Sequence, residues 1–287
     1  MRYYVKKSVI LLVLSFSMIQ LSVASTFRSQ TARLTSTAGV GVGSILINES
    51  TQLNPASAAF FRNSLFYSQK SEYTANNKQF EGEGMIVSAS DTTTRLKGSL
   101  SYESTEENGI ETQRFSGSMA TALRKNLSGG LVLSHIDDES QEDPYQTAGI
   151  GFTYVYSPRV TLGLVANDLT EETQLEQTVK TGFQYTVLSD LIVMGDIGTN
   201  RNEESEKRLI YGAAAQFKLY KHLYARAGKS IDKNQGLSTN GYGVSWLGPK
   251  LGLEYAFRSL EGIGEGFRTL AQDQSLEEHI LSLSLVF

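Results

Sequence analysis

The stretch Lys250-Leu-Gly-Leu-Glu-Tyr-Ala-Phe-Arg258 decides the fold. In an extended chain successive side chains point to opposite faces. Leu251, Leu253, Tyr255 and Phe257 therefore share one face, while Lys250, Gly252, Glu254, Ala256 and Arg258 share the other. A helix would mix the two sets. The same period of two runs through residues 208–219, where Leu209, Tyr211, Ala213, Ala215, Phe217 and Leu219 alternate with Arg208, Ile210, Gly212, Ala214, Gln216 and Lys218. It recurs at 177–187 and in ribbons at 95–103, 114–123, 149–156 and 239–247. Each ribbon has one apolar, aromatic face and one built from glycine, serine, threonine and charge.

A soluble sandwich and a membrane barrel both require that alternation, so the connections must separate them. Short connections at 124–126, 157–159, 189–190, 220–222 and 248–250 alternate with long ones at 105–112, 136–146, 170–176, 199–207, 231–238 and 259–278. Tight turns at one end and longer loops at the other are the habit of an outer-membrane barrel. Pro144, Pro158 and Pro249 fall in connections, where a missing N–H costs no ladder bond. The ribbons number about fourteen, each of about ten residues, enough for a tilted membrane strand. An even count returns both chain ends to the periplasmic side. The chain stops at Ile280-Leu-Ser-Leu-Ser-Leu-Val-Phe287, with Leu281, Leu283, Leu285 and Phe287 on one face. Such a terminal strand resembles the signal by which the outer-membrane insertion machinery recognises its clients.

Composition agrees. The 287 residues include no cysteine, which excludes disulfide frameworks, thiolate metal sites and cysteine nucleophiles. The formal net charge of -4 gives no electrostatic reason to expect nucleic acid. A mean hydropathy of -0.21 excludes a bundle of apolar membrane helices. Arg2, Lys6 and Lys7 precede an apolar run from Val9 to Ile19, followed by Ser22 and Ala24. This pattern predicts a secretory signal peptide over residues 1–24, whose removal takes three positive charges and leaves -7. The expected location is the outer membrane of a diderm bacterium, with membrane lipids as neighbours.

Residues 25–62 do not alternate. Thr37-Ala-Gly-Val-Gly-Val-Gly-Ser44 places Gly39, Gly41 and Gly43 where backbone can approach backbone, and Asn54-Pro55 signals a turn. The length suggests a small plug folded into the lumen, ahead of a barrel over 63–287. On the strand phase assigned above, Lys97, Lys180, Lys218, Arg226, Glu254 and Arg258 line that lumen. They serve either as a charged pore lining or, more in keeping with such residues, as mutual braces.

The run from Gly39 to Ser57, Asn54-Pro55-Ala56 above all, resembles the plug region of outer-membrane fatty-acid transporter-like barrels, a group that includes hydrophobic-compound transporters and adaptor barrels of type IX secretion. Leu251-Gly-Leu-Glu-Tyr-Ala-Phe257 and Ser282-Leu-Ser-Leu285 are similar to the last two strands of that group. The resemblance implies fourteen strands and passive passage of small apolar molecules, with a non-transporting adaptor that binds a protein partner at the outer loops as the alternative. Two features depart from it: the chain is short, and its outer loops are acidic, with Asp137, Asp138, Glu139, Glu142 and Asp143 in one and Glu203, Glu204 and Glu206 in another. Carboxylates there would repel a fatty acid's own carboxylate. In the 259–278 loop, Phe267, Leu270 and Ala271 have the spacing of a short amphipathic turn behind Gly262, Gly264 and Gly266.

Enzymatic chemistry is not expected. Of His135, His222 and His279, only His135 has a serine and carboxylates beside it, yet Ser134 and His135 point to opposite faces of a strand and cannot pair. No spacing suited to metal ligands is present, and no cofactor is implied.

Overall fold

The computed structural model describes residues 28–45, 49–61, 63–75, 80–107, 109–141, 143–172, 177–201, 209–263 and 275–287. Fourteen strands follow an N-terminal segment: β1 Leu65–Ala75, β2 Phe80–Asp91, β3 Lys97–Glu107, β4 Ile110–Arg124, β5 Leu127–Asp138, β6 Tyr145–Ser157, β7 Val160–Ala166, β8 Thr178–Leu188, β9 Leu191–Asn200, β10 Leu209–Tyr220, β11 Leu223–Asp232, β12 Leu237–Leu247, β13 Leu251–Gly262 and β14 Ser275–Val286. Each pairs antiparallel with its sequence neighbours, and β1 pairs with β14 from Leu65↔Val286 to Ala75↔Leu276, closing the barrel. Closure removes every sheet edge, which a lipid environment requires because it offers exposed N–H and C=O groups no partner.

The alternation read from the sequence becomes inside and outside. On β14 burial alternates from Ser275 to Ser284, with Leu281 and Leu283 exposed and Ile280, Ser282 and Ser284 buried, and Phe287 just beyond the strand is exposed. Leu253, Tyr255, Phe217, Leu219, Phe183, Tyr185, Phe152, Phe115 and Leu133 are likewise exposed on the outer face. These side chains form the apolar band that meets lipid, and the inward residues are mostly Ser, Thr, Gly and charge, with apolar ones such as Val165, Met194 and Ile280 set among them.

Tight turns lie at one end, and their backbones are laced together. The carbonyl of Asn126 accepts from Val155 N, that of Arg159 from Thr186 N, that of Asp190 from Lys218 N, that of His222 from Leu247 N and that of Lys250 from Val286 N, all at 2.8–2.9 Å. Each turn is thereby fixed to the adjacent hairpin.

At the other end, strands extend into stretches expected to be loops. The 105–112 loop is a tight hairpin in which Glu107 pairs with Ile110 and Gly109 takes φ 78°. The sequence there is Asn108-Gly109, a strong two-residue hairpin signal. β5 and β6 likewise extend to Asp138 and from Tyr145, β11 and β12 leave only 233–236 between them, and β13 and β14 run to Gly262 and from Ser275. Polar alternation, which reads as loop in a membrane strand, simply marks where strands rise out of the lipid. The signal peptide, Glu142, Glu203, Glu204, Glu206, and the 264–274 portion with Phe267, Leu270 and Ala271 lie outside the described residues.

Candidate functional site

Residues 28–45 and 49–61 bond to and pack against inward-facing residues of the strands. Ser and Thr are disfavoured in helix interiors but good at caps. Thr31 accordingly caps the five-residue helix α1, Ala32–Ser36, accepting from Leu34 N at 3.3 Å. Ala32 N donates to Tyr67 Oη at 2.9 Å and to Gln69 Oε1 at 3.1 Å, and Gln69 Nε2 returns a bond to the Gln30 carbonyl at 2.8 Å, so β1 holds the start of the segment. The chain then reaches Gly39 and Gly41, at φ 78° and 146°, backbone conformations that side chains resist.

At Gly41 the segment meets β9. The Asp196 carboxylate accepts from Gly41 N at 2.7 Å and from Val42 N at 3.0 Å. Gly43 lies against β8: a Cβ there would stand 2.7 Å from the Gly182 carbonyl oxygen. Asn54 then anchors the return. Its Oδ1 accepts from Ala56 N at 3.1 Å, and its Nδ2 reaches the Val42 carbonyl at 2.9 Å and Thr153 Oγ1 of β6 at 3.1 Å. Pro55 sits at the start of the 3-10 helix Pro55–Phe60, where a missing N–H costs nothing, and Ser128 Oγ of β5 donates to the Ala56 carbonyl at 2.8 Å.

The wall is shaped to admit this segment. Side chains added at Gly163, Gly228 or Gly241 would overlap the carbonyls of Val42, Thr37 and Thr35, and at Gly130 would come within 2.6 Å of Pro55. Glycine weakens a strand, so at these positions it serves the close approach of the segment rather than strand propensity.

Charge is concentrated beneath α1. Arg226 Nη1 bonds Glu254 Oε2 at 2.7 Å, Ser245 Oγ donates to the same oxygen at 2.7 Å, and Arg226 Nε donates to Gln216 at 2.7 Å. Arg33 of the segment stands 3.9 Å from Glu254, and Thr31 Oγ1 donates to Glu49 at 2.9 Å. Burial pushes the Glu49 carboxyl above its ordinary value, and the nearby Arg33 guanidinium opposes that shift. Above this group Arg258 pairs with Glu278 at 2.5 Å and donates to the Arg28 carbonyl at 3.1 Å.

The interior also has apolar surfaces. Leu34, Val42 and Leu53 of the segment pack with Val165 of β7, and Val40 packs with Met194 and Ala214. At the end away from the tight turns, Tyr73, Leu237, Leu260 and Leu276 form an inward-facing cluster, all 6 % exposed or less.

No protein-family model matches the sequence, and no curated protein matches it. Solved structures do. A monoaromatic hydrocarbon channel, CymD, superposes with a TM-score of 0.65 at 11 % identity over 89 % of this chain and 96 % of that one. The chain has the fold of the hydrocarbon-channel barrels. The toluene transporter TodX of Pseudomonas putida gives 0.64 at 10 % identity over 91 % and 98 %, and a Pseudomonas aeruginosa FadL homologue gives 0.58 at 10 % over 92 % and 99 %. At these identities the likeness is one of fold.

All six side chains assigned to the lumen face inward. Arg226, Glu254 and Arg258 are buried there, and Lys97, Lys180 and Lys218 are half-buried on the same side. The first three join strand to strand and strand to segment through the bonds above. His135 is exposed on the outer face while Ser134 is buried inside, and His279 bonds Tyr255 Oη at 2.8 Å on the outer surface. Among the described residues no group of His, Asp and Glu is placed to hold a metal ion. Sequence reading missed Asp196, Arg33 and Glu49. Asp196 had a signal: it is the one carboxylate in the inward row Ile192, Met194, Asp196, Gly198 and Asn200 of β9.

Removing that carboxylate leaves two buried N–H groups without their acceptor, at a cost of about 1–3 kcal/mol. Asp196→Ala is expected to shift the seated-to-released ratio of the segment by about 5- to 150-fold. Limited trypsin cleavage at Arg33 of the folded barrel measures it; unchanged protection would show that Asp196 does not hold the segment.

Proposed function

We propose that this chain is an outer-membrane barrel for the passive passage of small hydrophobic molecules, with residues 25–62 as a plug and residues 63–287 as the barrel. The observation that carries the reading is the set of apolar side chains gathered inside the barrel: Tyr73, Leu237, Leu260 and Leu276 at the outer end, and the Leu34, Val42, Leu53 and Val165 group deeper in, each buried against its neighbours. A small apolar molecule that takes the segment's place against Val165 would gain about 25 cal/mol for each Å² of its own apolar area withdrawn from water. The likeness to hydrocarbon channels supports the same class of cargo at the level of fold. Displacement of the segment, rather than a standing pore, admits it.

A second reading, a non-transporting adaptor, is favoured by one observation. The buried pairs Arg226–Glu254 and Arg258–Glu278 and the tie from Arg258 to the Arg28 carbonyl bind wall and segment into one braced body, which suits a scaffold that presents its outer end to a protein partner.

Flux through reconstituted vesicles with a lipopolysaccharide outer leaflet separates the two, because that leaflet slows hydrocarbons on its own. We expect protein-dependent uptake of a radiolabelled monoaromatic hydrocarbon that exceeds uptake of a sugar of similar mass. Vesicles no more permeable with protein than without it, together with a second polypeptide retained at fixed stoichiometry on gentle purification, would establish the adaptor instead.

A further inference from the structure

The two rims of the barrel carry opposite charge. At the end away from the tight turns, the outward face of β1–β4 aligns Glu72, Glu83, Glu106 and Glu111 as lateral neighbours, with Glu139 following β5 bonded to Glu111 N at 3.0 Å. At the tight-turn end, Arg95, Arg124, Lys125, Arg159, Lys221 and Lys250 are all exposed, six cations against the two carboxylates Asp91 and Asp190. Asp91 is already engaged, accepting from Thr93 N at 2.9 Å and Thr93 Oγ1 at 2.8 Å.

We propose that the tight-turn rim is a docking surface for the anionic headgroups of phospholipids in the adjoining leaflet. Three features point to a lipid surface rather than to a soluble anion. First, the cations are spread around the circumference on five turns, about 10 Å apart at two strand spacings where neighbouring turns carry them, with Asp190 on the β8–β9 turn as the one break. They do not converge on a pocket. Second, the band immediately beside them on the outer wall is apolar and aromatic: Leu96, Leu123, Tyr156, Leu188, Tyr220, Trp246 and Phe287 are all exposed there, and Lys221 Nζ lies 5.5 Å above the Tyr220 ring. Aromatic side chains settle at the headgroup level and long cationic side chains reach past them to the phosphates. Third, the presenting backbone is rigid, because the carbonyls of Arg159, His222 and Lys250 each accept a bond from the next strand. The ring of charge is set before any lipid arrives, so little ordering entropy opposes binding.

Each cation near an anionic bilayer surface contributes about 1 kcal/mol, about fivefold in binding. The experiment uses the full chain in vesicles containing equal mole fractions of phosphatidylglycerol and phosphatidylethanolamine. The protein is extracted gently, and the retained lipid is counted by native mass spectrometry. The unaltered protein is expected to retain phosphatidylglycerol at least about fivefold over phosphatidylethanolamine, with retention falling as salt is raised. The combined variant Arg95→Gln, Arg124→Gln, Lys125→Gln, Arg159→Gln, Lys221→Gln and Lys250→Gln, which removes all six cations, should retain the two lipids equally. Neutralising the opposite rim with Glu83→Gln, Glu106→Gln and Glu111→Gln should leave the preference intact.

Equal retention by the unaltered protein, a preference indifferent to salt, or a preference that survives the sixfold variant would each overturn the proposal. So would capture of an acidic protein at this rim with no lipid preference. The salt titration needs no substitution, and folding of each variant is checked by its heat-dependent mobility in detergent gels.

Discussion

Valine at both Gly163 and Gly228 is expected to open the barrel without unfolding it. Neither glycine has a backbone conformation that valine resists, and valine is a better strand residue than glycine. What valine cannot do is share space with the Val42 and Thr37 carbonyls, which an added Cβ would overlap at the two sites. Overpacking a well-filled site costs about 1–3 kcal/mol. With β7 and β11 both pressing on the short stretch from Thr37 to Val42, the inexpensive response is for the segment to leave the wall. Hydrocarbon flux through vesicles should rise by at least about tenfold, the factor that 1.4 kcal/mol represents, and trypsin should cut at Arg33 while the heat-dependent gel shift of the barrel persists. A variant that keeps its segment protected and its flux unchanged would mean that the wall yields instead, and the plug reading would fall with it.

The second large effect concerns stability. Glu254 is 3 % exposed and receives Arg226, Ser245 and, at 3.9 Å, Arg33. Glu254→Ala would leave two guanidinium groups facing each other around a missing anion. Breaking a buried pair from one side costs about 3–5 kcal/mol, whereas replacing both partners with apolar groups of similar volume is often close to neutral. The midpoint of urea unfolding in lipid should therefore drop steeply for Glu254→Ala and much less for Arg226→Met combined with Glu254→Met. If the single variant loses under about 1 kcal/mol, water reaches the cluster and solvates the arginines.

The wall was far more legible in the sequence than its contents. A membrane strand must satisfy lipid on one side and a lumen on the other, so each residue of 250–258 reports its own side. That is why fourteen strands and the inward set Lys97, Lys180, Lys218, Arg226, Glu254 and Arg258 can be read directly. The outer ends were misread because the same reasoning equates polarity with loop. Glu106, Glu111 and Asp137 are polar because their strands have left the lipid, not because pairing stops, and Asn108-Gly109 was the local sign of it. The interior contacts could not be read at all, since they join residues far apart in sequence. Gly41 and Asp196 are separated by 155 positions and Arg28 and Arg258 by 230. Periodicity carries no information about such pairs. Only the lone carboxylate among apolar and small neighbours on β9 hinted that something inside needed an acceptor.

The seam between β1 and β14 carries a consequence for how the molecule is made. It joins the first strand to the last, from Leu65↔Val286 to Ala75↔Leu276, so the enclosure is sealed only when the final residues arrive. The polypeptide inside precedes β1 and is bound to β9 and β13 as well as to β1. By tying β1, β9 and β13 to one short stretch of chain, the segment draws together strands that lie far apart in sequence and so favours a closed ring over an open, curling sheet. What the barrel holds also helps to hold the barrel shut.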